Sequence, residues 1–561
     1  MKKLLLVLCI LLVNLSCFSQ KVEVYKQDTS NNQVESSEAT NTKRPRLVVG
    51  IVVDQMRYDY LTRFNEKYGE NGFKRLIKSG FNCKNNHFNY IPTYTGPGHA
   101  SVYTGTTPKY HGIIANNWYD KVSGEFVYCA GDSNYKSVGT EADAGEMSPH
   151  RMQTTTFSDE NRLFTQMRGK TIGISIKDRG AILPAGHTAN AAYWFHGKKE
   201  GNFITSSFYT NVLPKWVQEF NDAKYPEKYL KPWNTLYDIS TYTESGRDLN
   251  NYEGGFKGKE NATFPYDLKA LKAKNGDYDI LKVTPYGNSL VTDFALAAIK
   301  GEDLGKDDDT DVLAISYSSP DYIGHNFGVN SKEIQDTYIR LDLELERLLN
   351  ALDSQVGKGN YIVFLTADHG AVEVPAYLEN FHIPAGYLNN RNVREEFSDF
   401  MKNTFNSEKL IANVSNNQVF LSHLKLKELN LDLEDVQNKI VEELITYDHV
   451  YKVYTAKTMA SEEFTTGVEE LLQLGYHQKR SGDILIVGDP AFISYSKTGS
   501  THGSGFNYDT HVPLIFYGFG INKGETLERT EITDLAPTIS ALLNISFPNG
   551  AIGTPIEKAI D

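Results

Sequence analysis

The chain has 561 residues, 40% of them hydrophobic, and a formal net charge of −13. That composition can bury a large core, and length alone implies roughly three or four domains. With 70 acidic against 57 basic side chains and no basic run beyond Lys43–Arg46, a groove for a nucleic-acid backbone is excluded, so any anion site must be local.

The N-terminal stretch MKKLLLVLCILLVNLSCFSQ carries two lysines, an apolar run and small residues before Gln20. This is the pattern of an export signal, with cleavage expected after Ser19 and a signal peptide over 1–19. Lipid attachment at Cys17 is the alternative, weakened by Asn14 where an apolar residue is expected. Export would leave Cys83 and Cys129, too few for a disulfide framework or a thiolate metal site. They pair or stay free. Residues 20–45 are polar and rich in Ser, Asn, Thr and Glu, which predicts a flexible leader. No later segment is apolar over a bilayer's width, so the expectation is a protein soluble in the periplasm or outside the cell, the periplasm being preferred; a monomer is expected separately.

Leu47–Asp54, LVVGIVVD, is an unbroken apolar run ending in a carboxylate, as expected of a strand buried on both faces of a parallel sheet. Asn89–Gly105, NYIPTYTGPGHASVYTG, follows. Its Thr-Gly-Pro-Gly-His turn opens a helix whose first N–H groups can hold an anion, with Thr93 and Thr95 just ahead. Further buried strands are predicted in Thr171–Arg179, Asp311–Asp321 and Asn360–Gly370, each ending in ionisable residues. Ser331–Ser354 has apolar residues at helical spacing. Alternating strands and helices predict an α/β sandwich, with ligands outside the carboxyl ends of the strands. The stretches from about 202 to 286 and from about 374 to 480 break the rhythm and read as insertions. Asp483–Asp489, His511–Gly518 and Thr533–Asn544 return to core patterning.

A lone Asp after a strand is usually a turn former or a helix cap. Here Asp54, Asp321 and His325 in PDYIGH, Asp368 and His369 in TADHG, and His502 in STHGSG form a donor set without sulfur. Imidazole with carboxylate suits zinc or a similar divalent metal. Six donors suffice for two metals, each keeping open positions. Such a pair stabilises both the attacking and the leaving oxygen of a phosphoryl displacement, and it would supply the activator that a threonine hydroxyl lacks.

PTYTGPGH, the KDR after a strand, PDYIGH, TADHG and THGS, in that order, resemble the alkaline phosphatase superfamily, most closely the phosphate-irrepressible alkaline phosphatases exported by Gram-negative bacteria. The resemblance runs from about Val48 to Pro555. It implies an α/β/α sandwich with a mostly parallel central sheet in one catalytic domain, 46–561, carrying both insertions, which overrides the length prior. It implies Thr95 as nucleophile, bound to one zinc with Asp54, Asp368 and His369, while Asp321, His325 and His502 hold a second zinc. Thr93 is the rival nucleophile. Asn116 would donate to a phosphoryl oxygen, with Asn117 as its possible confusion. Lys177 and Arg179 would read the second negative charge of a monoester. The implied activity is hydrolysis of phosphate monoesters through a covalent phosphothreonine. A nucleotide-type phosphodiesterase and a non-catalytic phosphoester-binding relative are the alternatives. His99, His111, His187 and His511 are read as structural.

Overall fold

The structure, a computed structural model, describes residues 44–388 and 390–560. The expected signal peptide, Cys17 and nearly all of the leader lie outside the described residues. The central sheet has ten strands in the chain order β1 Leu47–Val53, β2 Phe81–His87, β3 Ser137–Val138, β4 Thr171–Ser175, β5 Ala191–His196, β6 Asn202–Ser206, β7 Asp311–Tyr317, β8 Tyr361–Thr366, β9 Leu514–Gly518 and β10 Gly524–Glu531. Across the sheet they are arranged β10-β2-β9-β8-β1-β7-β4-β5-β6-β3.

The apolar runs explain the middle of this order. β1 has every residue buried and pairs in parallel with β7 (Leu47 opposite Asp311) and β8 (Leu47 opposite Tyr361). β4 and β5 extend the parallel set. Residues buried on both faces give a strand no solvent side, so continuous Val, Ile and Leu replace alternation. The α/β architecture expected from the alternation of elements is thus observed, with a mostly parallel central sheet. β9 runs against β8 and against β2, so β2 points the same way as the parallel set.

Four helices carry or support the site: α1 Thr95–Thr104, α2 Asp178–Ala185, α3 Ser319–Phe327 and α4 Lys332–Leu352. α4 starts where the sequence places it, with Ser331 Oγ accepting the Ile334 N–H at 3.1 Å as its cap. Among the described residues no helix is long and apolar enough to cross a membrane.

Two expectations are corrected. Asn202–Ser206, read as the start of an insertion, is β6 and pairs with β5. The apolar run Ile484–Gly488, read as core, lies in a separate four-stranded sheet with Ile411–Ser415, Gln418–Leu421 and Val450–Thr455. An apolar run reports burial but not which sheet provides it. This second sheet has its own core around Val419, Leu421, Ile440, Leu444 and Ile484. Cys83 and Cys129 are both free and buried, in different hydrophobic clusters, and burial pushes both thiols up to about 12.

Candidate active site

Parallel strands put all their carboxyl ends on one edge, and the ionisable residues follow those ends. Asp54 comes directly after β1, and its N–H continues the ladder to Tyr317 O at 3.0 Å. Beyond β7, α3 carries Asp321 in its first turn and His325 four residues on, a spacing that stacks both side chains on one helix face. His325 Nε2 lies 3.2 Å from Asp321 Oδ1. Asp368 and His369 follow β8. β9 runs the opposite way, so its N-terminal side faces this edge, and His502 enters from the loop before it.

Thr95 is the first residue of α1, whose N-cap Tyr94 makes no side-chain cap. In this first turn Gly96 gives its N–H to Asn116, Gly98 gives its N–H to Tyr94 O, and Pro97 has none, so the positive end of the helix lies at Thr95 with its amides already engaged. Gly98 explains the turn: a Cβ there would sit 2.3 Å from Asp368 O. Only glycine lets α1 press this closely onto the Asp368 segment, and Thr95 Oγ1 is thereby 3.5 Å from His369 Nε2. Thr93 is turned elsewhere, its hydroxyl donating to Ser504 O at 2.9 Å.

The six expected donors fall into two groups, Asp54 with Asp368 and His369, and Asp321 with His325 and His502, each with its ligand atoms within 4.8 Å of one another. The histidines share one feature. Nδ1 of His325 lies 2.7 Å from Ser500 O, that of His369 2.9 Å from Gly370 O, and that of His502 2.7 Å from Thr93 O. A carbonyl only accepts, so each Nδ1 carries the proton and each Nε2 presents a lone pair, the form a metal requires. Nε2 stands 3.6 and 3.5 Å from the Asp54 and Asp368 carboxylates for His369, and 3.6 Å from Asp321 for His502. Tetrahedral bonds of about 2.0–2.1 Å place neighbouring ligand atoms roughly 3.3 Å apart. Chemistry, tautomer and spacing therefore all fit zinc in both groups.

The charges agree. Burial, then repulsion from Asp368, pushes the Asp54 carboxyl well above its ordinary range, so this corner needs positive charge. Lys177 supplies some of it, with Nζ 2.7 Å from Asp54 Oδ2 and 2.5 Å from Asp321 Oδ2, one carboxylate from each group. Burial disfavours its charge, but Asp321 and Asp54 outweigh burial and hold the ammonium above its usual range. Against the penalty of burial, the Lys177 ammonium helps to hold Asp321 well below the carboxylate range. Burial lowers both His369 and His502, keeping their rings neutral.

Asn116 is set by its Oδ1, which accepts the Gly96 N–H at 2.7 Å, leaving the NH2 end to donate. Asn117 is exposed at the start of a short strand. Arg179 lies in the first turn of α2, its Nη1 donating to Tyr128 OH at 3.2 Å, and its buried Nε has no hydrogen-bond partner among the described residues.

One contributor escaped sequence reasoning. Gln55, at φ 63°, gives its backbone N–H to Asp368 Oδ1 at 3.1 Å and its side-chain amide to Asp321 Oδ1 at 2.8 Å, touching both groups. Nothing in its type or spacing marks it. His99, expected to pack or hydrogen-bond near the turn, does so: its Nδ1 donates to Thr95 O at 2.9 Å and lies 3.2 Å from Asp368 Oδ2. His111 meets Ser101 Oγ at 2.9 Å and His511 stacks on His87, both apart from the donors.

Residues 48–512 match the family described as type I phosphodiesterase / nucleotide pyrophosphatase. The chain is 44% identical over 522 residues to alkaline phosphatase PafA of Elizabethkingia meningoseptica, covering 92% of this chain and 95% of that one. It is 43% identical over 556 residues to alkaline phosphatase PhoV of Synechococcus elongatus, covering 99% of each. The crystal structure of wild-type PafA superposes with a TM-score of 0.89 at 43% identity, covering 92% of this chain and 99% of that one. A further PafA crystal structure, matched at the same TM-score, carries substitutions of one threonine, one asparagine, one lysine and one arginine.

Proposed function

This chain belongs to the type I phosphodiesterase / nucleotide pyrophosphatase family of the alkaline phosphatase superfamily, and from that premise we propose that it is an exported, two-zinc alkaline phosphatase hydrolysing phosphate monoesters through a phosphothreonine at Thr95. The observation that carries the reading is the pair of three-residue N/O donor groups, linked through Lys177 and Gln55, with the hydroxyl that opens α1 3.5 Å from His369 of one of them. Near-full-length likeness to proteins named alkaline phosphatases supports the monoester substrate. The four residue types substituted in the PafA variant are those of Thr95, Asn116, Lys177 and Arg179, in the same chain order. Export rests on the N-terminal pattern alone.

Asp54, Asp368 and His369 would hold one zinc, and Asp321, His325 and His502 the other. When bound, two such ions lower the pKa of a hydroxyl beside them and stabilise a departing oxygen. Thr95 Oγ attacks phosphorus as the ester P–O bond breaks and the alcohol leaves; water then cleaves the Thr95–phosphate bond and restores the hydroxyl. The positive end of the α1 dipole lies at Thr95 and favours negative charge there. The Asn116 NH2, fixed by Gly96, donates to a non-bridging oxygen, and Arg179 adds a half-buried cation for the charge that a monoester has and a diester lacks. His99 holds the Thr95 backbone and Asp368 in register.

Acid quenching during turnover, followed by phosphopeptide mapping, tests the intermediate. Phosphate is expected on Thr95 and absent from the Thr95→Ala variant, with turnover lowered by several orders of magnitude. Phosphate on Thr93 or on a serine would overturn the assignment.

A further inference from the structure

A cavity of about 380 Å³ opens between the loop holding His502 and the second sheet with its flanking segments. Of the six donors only His502 borders it, together with Tyr94, the neighbour of Thr95; Asn116, Lys177 and Arg179 do not line it. It therefore meets the site through His502 and Tyr94, away from the groups assigned to the phosphoryl oxygens.

Its lining has a definite chemistry. Phe492 and His449 stack at 3.5 Å with an interplanar angle of 12°, and Tyr94 stands edge-on to His502 at 5.7 Å. Val372, Leu444 and Val487 add aliphatic surface. The hairpin tip at Asn416 reaches over and donates its side-chain amide to Asn117 O at 2.8 Å, which seats this wall beside Asn116. Among the lining residues one arginine and no lysine face Asp448, Asp489 and Asp509, and Asp489 pairs with His449 at 3.4 Å. A leaving group bearing further phosphates would find little counter-charge, whereas a flat ring would find aromatic and aliphatic contact.

We propose that this cavity is the leaving-group subsite and that it selects phosphate monoesters whose alcohol carries a flat, uncharged ring. The proposal rests on the monoesterase reading above. Phe492 is a specificity-determining residue that touches the alcohol and takes no part in the chemistry.

The test compares benzyl phosphate with ethyl phosphate, whose alcohols are of similar acidity, on the zinc-loaded enzyme. Wild type is expected to favour benzyl phosphate in kcat/KM, and Phe492→Ala to lower that preference by about 5- to 100-fold, the range that loss of ring stacking produces. The ethyl phosphate rate should hold within about threefold. Because ethyl phosphate does not reach the aromatic wall, a general structural defect lowers both rates and leaves the ratio intact. Equal kcat/KM for the two esters in wild type, or an unchanged ratio in the variant, overturns the subsite while leaving the phosphatase reading standing. Failure to hydrolyse either monoester, alongside turnover of a diester, overturns the monoesterase reading and the subsite with it. Should Phe492→Ala not fold, the wild-type ratio and Phe492→Leu decide the matter.

Discussion

Replacing Lys177 by methionine keeps much of the side-chain volume and removes the one ammonium that bridges Asp54 and Asp321. Its side chain is 2% exposed and the two carboxylates 0% and 4%, so solvent cannot screen what remains. Removing one partner of a buried ion pair destabilises a fold by about 3–5 kcal/mol, since an uncompensated charge stays behind. Melting temperature moves by about 2–4 °C per kcal/mol in domains of 150–250 residues and by less in longer chains. The metal-free variant should therefore melt roughly 3–10 °C below metal-free wild type. Zinc changes the balance, because two divalent ions neutralise the same carboxylates and the ammonium no longer competes with them. The zinc-induced rise in melting temperature is thus expected to be larger for Lys177→Met than for wild type. Differential scanning fluorimetry after chelation and again after zinc titration reads both quantities. Equal melting temperatures without metal, or a smaller zinc increment in the variant, would refute the view that Lys177 and the metals balance one set of charges.

Arg179→Ala should depress kcat/KM for a monoester by about 30- to 1,000-fold, the worth of roughly 2–4 kcal/mol in a desolvated contact, with a diester changing less than about threefold. It is the cleaner probe, because altering Lys177 also disturbs the carboxylates, and equal losses on both substrates would favour the phosphodiesterase reading. His325→Ala and His369→Ala should each lose about one zinc by elemental analysis, and full metal content in both would show the ligand assignment to be wrong. Gln55→Ala removes the amide that orients Asp321, and zinc affinity is expected to fall about 10- to 100-fold, as for other groups behind a ligand. Competition against a chelator measures this, and an unchanged affinity would make Gln55 merely structural.

What was legible in the sequence follows from how each residue reaches the site. Asp54, Asp321, Asp368 and His369 announce themselves because a strand buried on both faces is an unbroken apolar run, and the first ionisable residues after it mark the carboxyl edge. His502 has no such run before it. It reaches the edge because β9 is antiparallel, a fact of pairing that no local pattern carries, so only the ordered set of motifs pointed to it. The same limit explains Ile484–Gly488, whose apolar run is as continuous as that of β1 yet belongs to another sheet. Gln55 was invisible for a different reason: its role depends on a left-handed backbone that aims its N–H at one donor group and its amide at the other. The leaving-group cavity lay further from reach, since Tyr94, Asn416, His449, Phe492 and His502 meet only after two sheets have folded and docked. Motifs record chemistry that a whole family must retain, whereas the walls that choose among alcohols are assembled from residues without a shared spacing. Reaction type was therefore readable from the chain, and substrate choice only from the folded protein.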